Sequence, residues 1–303
     1  IGHVARDLGH YNAYAEHSWL QDSWTTYYKG IDRANTILEN KDLVKLTSAN
    51  DTVAFKQLVG ETRCLRAMAH FDLTLLWGDM PLKVTSTKPG DNLYMKRTDR
   101  ALVYDQIIKD FEEAIPDLQW SVQNERISKG AAMGLLARAY LFRGGYSLYG
   151  SGDLGEMKRP ANYLEYYQKA QAVLAELMNS NKHGLINGDG TMDGYQRVFR
   201  NMCELKYDPF ENMCEIAFFK TPNQSSGSGI MGTVIDASSK YGRANSFIKT
   251  HEFFGNLFEA GDLRKATAIA DFTIGADNAI KLIKQGPDSK GKMGTTYLWA
   301  PGK

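Results

Sequence analysis

The sequence predicts a mainly α fold: tetratricopeptide-like helical hairpin repeats with long loops and a few short strands. Three observations predict it. Apolar residues recur three, four and seven apart over several long stretches, which is the spacing of one helix face. Two of those stretches align internally, LRAMAHF from Leu65 with LARAYLF from Leu136. After Leu185 the periodicity gives way to short runs broken by Gly, Ser and Asn. With 303 residues, 43% of them hydrophobic, the chain can bury a large core. Residues 1–184 read as the helical repeat region. Residues 185–303 read as an irregular, loop-rich region of the same domain.

The first helix is expected over 24–40, where Trp24, Tyr27, Tyr28, Ile31, Ala34, Asn35 and Leu38 share one spacing. Lys41 to Asn50 is a polar connection. The central helix follows, 53–77, with Leu58, Leu65, Met68, Phe71 and Leu75 as its apolar stripe. Ser48 and Asp51 fit a capping box, Gly78 a helix end, and Pro81 prevents resumption. Glu61, Arg63 and Arg66 are placed on its polar side, solvated or ion-paired. A second hairpin joins 99–118, capped by Thr98 or Asp99, to 128–143, capped by Ser128 and stopped at Gly144 and Gly145. Pro160 opens a helix over 161–180. The hairpin spacing exceeds the roughly 34 residues of a regular tetratricopeptide repeat because the loops are expanded.

Charge and motif content exclude several classes. With 36 basic and 35 acidic residues and no basic stripe, nucleic acid is not an expected partner. No apolar run approaches the ~18 residues needed to span a bilayer. His3, His10 and His17 are seven apart, ~10.5 Å along a helix, too far to share a metal. The run from Asp189 through Thr191, Asp193 and Gly194 starts like a calcium loop, but Arg200 occupies the position that requires Glu. No cofactor and no metal are expected. Three cysteines give no metal spacing, and a Cys203–Cys214 pair is the one disulfide the sequence leaves open. Glu112 with Glu113, and Asp208 with Glu211, lack the partner motif a glycoside hydrolase needs.

Two segments carry a family resemblance. Gly60-Glu61-x-Arg63-x-Leu65-Arg66-Ala67 followed by Gly78-Asp79-x-Pro81-Leu82, and RISKGAAMGLLARAYLF at the second repeat, resemble the SusD/RagB family of outer-membrane nutrient-binding lipoproteins. Weaker matches, NMCEIAFFK, FEAGDLRKAT with its Asp262–Arg264 pair, and TYLWAPGK, follow in the family's order. The resemblance implies a SusD-like fold. It also implies a surface lipoprotein whose lipid anchor lies outside this chain, and a chain that lacks both ends of the full protein.

The resemblance further implies non-catalytic capture of an oligosaccharide or polysaccharide, or in some relatives a peptide. The cargo would pass to a SusC-like TonB-dependent transporter. A glycoside hydrolase on a helical scaffold is the competing class. Candidate ligand residues are Tyr11, Tyr14 and Trp19 before the first repeat, and Tyr241, Arg243 and Asn245 in the Gly/Ser-rich loop. That loop, 221–246, is expected to face the ligand, and residues of the first repeat with the loops around 82–98 the transporter.

Overall fold

The computed structural model describes residues 7–8, 13–121, 125–150, 155–188, 193–204, 206–216, 233–240, 243–244, 252–270, 272–282 and 298–299. The chain divides into two compact units, 1–183 and 184–303.

The first unit is built from five long helices. These are α1 (Ser18–Asn40), α2 (Ala49–Trp77), α3 (Arg100–Ala114), α4 (Lys129–Gly144) and α5 (Tyr163–Asn179). Each packs on the next in chain order, which gives two hairpins and a closing helix. Strands β1 (Ser147–Tyr149) and β2 (Glu156–Lys158) form an antiparallel ribbon between α4 and α5.

The helix ends follow the chemistry of their caps. Ser48 Oγ accepts from the Asp51 amide, while the Asp51 carboxylate reaches back to Thr47 and Ser48. Asp99 accepts from Ala101 N and Ser128 from Ala131 N. Gly78 ends α2 at φ +70°, where a Cβ would also strike the Arg100 guanidinium. Pro160 lies ahead of α5 instead of opening it: its carbonyl accepts from the Tyr163 amide at 3.2 Å, and the helix begins there.

The register of α2 differs from the sequence reading. Phe71 is buried, but Leu58, Leu65 and Leu75 are exposed. The buried face instead carries Gln57, Glu61, Arg66, His70 and Thr74 among small residues. Small and polar residues let neighbouring helices approach closely, and a Cβ on Gly60 would sit 3.0 Å from Leu118. The buried charges are paired. Arg66 grips both Asp110 oxygens, Nε to Oδ2 at 2.8 Å and Nη2 to Oδ1 at 2.5 Å. Glu61 pairs with Arg126, and Gln57 donates to the Ile127 carbonyl and accepts from the Gln119 amide. These bonds tie α2 to the segment connecting α3 and α4. Arg63 reaches Glu113 at 3.1 Å.

Apolar packing completes the unit. Val103, Tyr104, Ile107, Ile108 and Phe111 of α3 are buried, as are Met133, Leu136 and Tyr140 of α4. Phe71 and Phe142, equivalent positions of the internal repeat, meet edge to face at 5.1 Å. His70 is fully buried. The Arg66 and Lys83 carbonyls lie near its ring, but neither nitrogen completes a hydrogen bond. Burial, then the neighbouring Arg66 charge, push the His70 pKa down from 6.5 to about 4.

The second unit contains α6 (Gly194–Cys203), α7 (Glu252–Asn256) and α8 (Leu263–Ala268). Its short strands are β3 (Ile269–Ala270), β4 (Phe272–Ile274), β5 (Ile280–Leu282) and β6 (Leu298–Trp299), paired antiparallel as β3–β6 and β4–β5. Helix α6 was not expected. Its N-cap is Asp193, which accepts from Gln196 N at 2.8 Å and which in the sequence sits in the run that starts like a calcium loop. Among the described residues, no group of His, Cys, Asp and Glu could hold a metal ion. The Cys203 side chain, and with it the Cys203–Cys214 pair, lies outside the described residues. Asp262 and Arg264 form an ion pair at 2.6 Å that also caps α8.

Two measurements test this packing. Phe71→Ala removes a ring held between Tyr104 and Phe142, and equilibrium denaturation should show a loss of ~3–5 kcal/mol. An unchanged midpoint would put the ring outside the core. His70 makes stability depend on pH. Below pH 6.5 the unfolded chain takes up a proton at this imidazole that the folded chain refuses until about pH 4. Stability should therefore fall as pH drops through that window, by about 3 kcal/mol for this group. Urea titrations at pH 7 and pH 4.5 should show that loss, and His70→Phe should reduce it.

Candidate functional site

A cleft of about 660 Å³ opens between α1 and the segment that leaves α2. One side is Trp24 and Tyr28, one turn apart on α1. The other is the extended run Pro81–Thr85 together with the loop Asp91–Met95. A shallower groove of about 440 Å³ continues along α1 past Lys29, Asp32 and Arg33, sharing Trp24, Tyr28 and Lys83.

The aromatic side is rigid. The Trp24 ring lies 4.8 Å from Tyr28 and 5.2 Å, edge to face, from Trp77. Tyr28 Oη donates to the Pro81 carbonyl at 2.6 Å, which fixes the second ring. Burial and that bond leave both rings half-exposed with their faces in place. Opposite, Tyr94 is 95% exposed, a free-standing ring on the loop. Asn92 Oδ1 accepts from the Tyr94 amide at 2.9 Å and Asp91 Oδ2 from the Lys88 amide at 2.8 Å, bonds that shape the turn.

Among the described residues the Pro81–Thr85 wall pairs with no strand; a single bridge, Met80 with Thr98, lies just before it, and Leu82 N donates to Thr98 Oγ1 at 3.4 Å. The wall is held by side chains of α1. Asn35 Nδ2 donates to the Lys83 and Thr85 carbonyls at 3.2 and 2.9 Å. Glu39 accepts from Ser86 N and Oγ at 2.8 and 2.5 Å. Asp32 accepts from Thr87 N and Oγ1, both at 2.7 Å, and Lys83 Nζ lies 3.6 Å from it. The Thr87 hydroxyl holds the Asp32 carboxyl below its usual range, so this group stays ionised.

Of the residues singled out from sequence, Tyr14 and Trp19 are exposed at the start of α1, and neither lines the cleft. Tyr14 packs edge to face on His17 at 5.3 Å. Arg243 is exposed in the second unit, beside Ala244, which bridges to Ile235. Tyr11, Tyr241 and Asn245, and the loop residues 217–232, lie outside the described residues. The carboxylates weighed for hydrolysis have structural partners. Glu112 accepts from Tyr140 Oη, Glu113 pairs with Arg63, Asp208 accepts from Phe210 N, and Glu211 from Ile186 N.

Sequence reasoning placed Trp24 and Tyr28 in a helical packing stripe and did not single out Tyr94. The available signal was the juxtaposition of an i, i+4 aromatic pair with an aromatic flanked by turn residues, Asp91-Asn92-Leu93-Tyr94.

Residues 5–141 match the family model SusD-like_3, described as starch-binding associating with outer membrane. That span is 137 of the 303 residues, and over it the chain is similar to SusD-like proteins. It is 27% identical over 144 residues to a SusD-like protein of Bacteroides ovatus, covering 48% of this chain and 26% of that one. It is 23% identical over 288 residues to SusD-like protein P25 of Formosa agariphila, covering 85% and 50%. The chain thus spans between about a quarter and a half of the length of these relatives.

A SusD homolog of Bacteroides thetaiotaomicron superposes with TM-score 0.77 at 23% identity, over 95% of this chain and 56% of that one. Two further solved structures share the SusD fold with this chain. One, described as being with xylogluco-oligosaccharide, gives TM-score 0.66 at 20% identity over 91% and 52% of the two chains. The other, a laminarin-binding SusD-like protein, gives 0.64 at 21% over 92% and 57%.

Proposed function

We propose that this chain is a SusD/RagB protein that captures an oligosaccharide or polysaccharide in the α1 cleft and breaks no bond in it. The observation that carries the proposal is that the fixed Trp24–Tyr28 pair and the exposed ring of Tyr94 line one cleft of about 660 Å³. Sugar rings present apolar C–H faces that stack on aromatic planes, and their hydroxyls bond to a polar rim such as Lys83, Asp91 and Asn92. Two structures of this fold are named for xylogluco-oligosaccharide and laminarin, and they support a glycan as the ligand class.

Non-catalytic capture fits the electrostatics. Hydrolysis needs a carboxyl with a raised pKa opposite a second carboxylate. Asp32, the carboxylate of the adjoining groove, is shifted the other way. In this reading the protein is a lipoprotein of the outer membrane, and it passes its cargo to a SusC-like TonB-dependent transporter. Among the described residues no helix is long and apolar enough to cross a membrane. Tyr14 and Trp19 belong to the proposal as stacking rings beyond the cleft.

Titration of tryptophan fluorescence against a panel of soluble glycans and peptides tests this. Tyr94→Ala should weaken glycan binding about tenfold, equivalent to ~1.4 kcal/mol, at an unchanged melting temperature. Trp19→Ala should weaken it less. A wild-type chain that binds only peptides would replace the ligand class. Equal affinity of wild type and Tyr94→Ala would remove the cleft from the site.

A further inference from the structure

We infer that Asn35 is a positioning residue for ligand capture: its buried amide, oriented by Arg66, fixes the Lys83–Thr85 wall of the cleft. The inference rests on the glycan-capture reading and deepens it.

Asn35 is fully buried and lies between a cation and two carbonyls. Its Oδ1 accepts from Arg66 Nη1 at 2.8 Å, and its Nδ2 donates to Lys83 O and Thr85 O. Only an amide satisfies both sides. The Arg66 contact settles which end is oxygen, because a guanidinium donates and never accepts. Arg66 is held in place, since its Nε and Nη2 are bound to Asp110, which Gln106 also holds at 2.9 Å. The wall is therefore attached through Asn35 to α2 and α3, not to α1 alone.

The other attachments of the wall and its continuation are Tyr28 on the Pro81 carbonyl, Thr98 on the Leu82 amide, Glu39 on Ser86 and Asp32 on Thr87. A segment without strand partners keeps one shape only if its carbonyls are held. In this one Tyr28 holds the Pro81 carbonyl, Lys83 Nζ reaches the Thr85 carbonyl from the solvent side, and one buried amide, Asn35, takes both Lys83 O and Thr85 O. Turning Lys83 O and Thr85 O toward Asn35 sets how Lys83, Val84 and Thr85 face the cleft. Holding a binding wall in shape before the ligand arrives removes an ordering cost from binding. Asn35 touches no ligand in this account; it acts through the wall.

Asn35→Asp is the deciding variant. It keeps the size and the Arg66 contact but sets a carboxylate against two carbonyls. Binding of laminarin and xyloglucan oligosaccharides is measured by calorimetry, and amide hydrogen exchange is followed without ligand. Affinity should fall about tenfold. Exchange should accelerate at residues 83–87 and stay as in wild type through α4 and α5. Asn35→Ser keeps an acceptor for Arg66 and one donor, and should fall between the two. It decides the matter if Asn35→Asp does not fold.

Wild-type affinity and wall exchange in the folded variants would overturn the inference, as would acceleration spread evenly over all helices. A wild-type chain that binds neither glycan counts against the capture reading, not against the wall. Local acceleration at 83–87 would then still support Asn35 as its anchor, and unchanged exchange would still overturn that.

Discussion

The first unit depends on one buried ion pair, Arg66 with Asp110. Both side chains sit in the interface of α2 and α3, and taking them out of water costs more than an exposed pair returns. Burial raises the Asp110 carboxyl above its ordinary range, and the Arg66 and Gln106 bonds act against that rise. The guanidinium also has a third direction to serve. That direction points at Asn35, so the demand for complete hydrogen bonding passes from α3 through α2 to α1 and on to the backbone beyond Pro81. A hydrophobic substitute of similar volume fills the same space but does not set the orientation of the amide.

Much of the helical scaffold was legible in the sequence because its signals are local. Ser48, Asp99 and Ser128 each cap the helix they were expected to cap, and Gly78 ends α2. Helix α3 buries the face its spacing predicts. The central helix was misread for a physical reason. Leu58, Leu65 and Leu75 carry the periodicity, but the neighbours of α2 need close approach and charge pairing more than bulk. Small residues, Gln57, Glu61 and Arg66 therefore took the buried side. Hydrophobic patterning cannot identify a buried face whose charges are neutralised by residues 44 and 65 positions away.

The candidate site was less legible than the scaffold. Trp24 and Tyr28 were seen, but as packing residues. A half-buried aromatic at helical spacing serves packing and ligand stacking with the same sequence signature. What separates the two roles is the wall across from them, and its shape is set by contacts 48 and 50 positions apart, from Asn35 to Lys83 and Thr85. Helix α6 was hidden differently. Asp193 is an N-cap, but beside a run of Gly and Asp it reads equally well as a turn.

The attachments of the wall also divide it by their response to ionic strength. Its inner end hangs on an amide and a guanidinium sealed from solvent, where dissolved salt screens little. Its outer end leans on partly exposed charges: Lys83 beside Asp32 at 3.6 Å, and Lys88 beside Glu39 at 3.8 Å. Such short pairs persist at physiological salt, where the Debye length is about 8 Å, and weaken near 1 M, where it falls to about 3 Å. Concentrated brine therefore loosens the groove past Asp32 and leaves the floor beneath Trp24 in place.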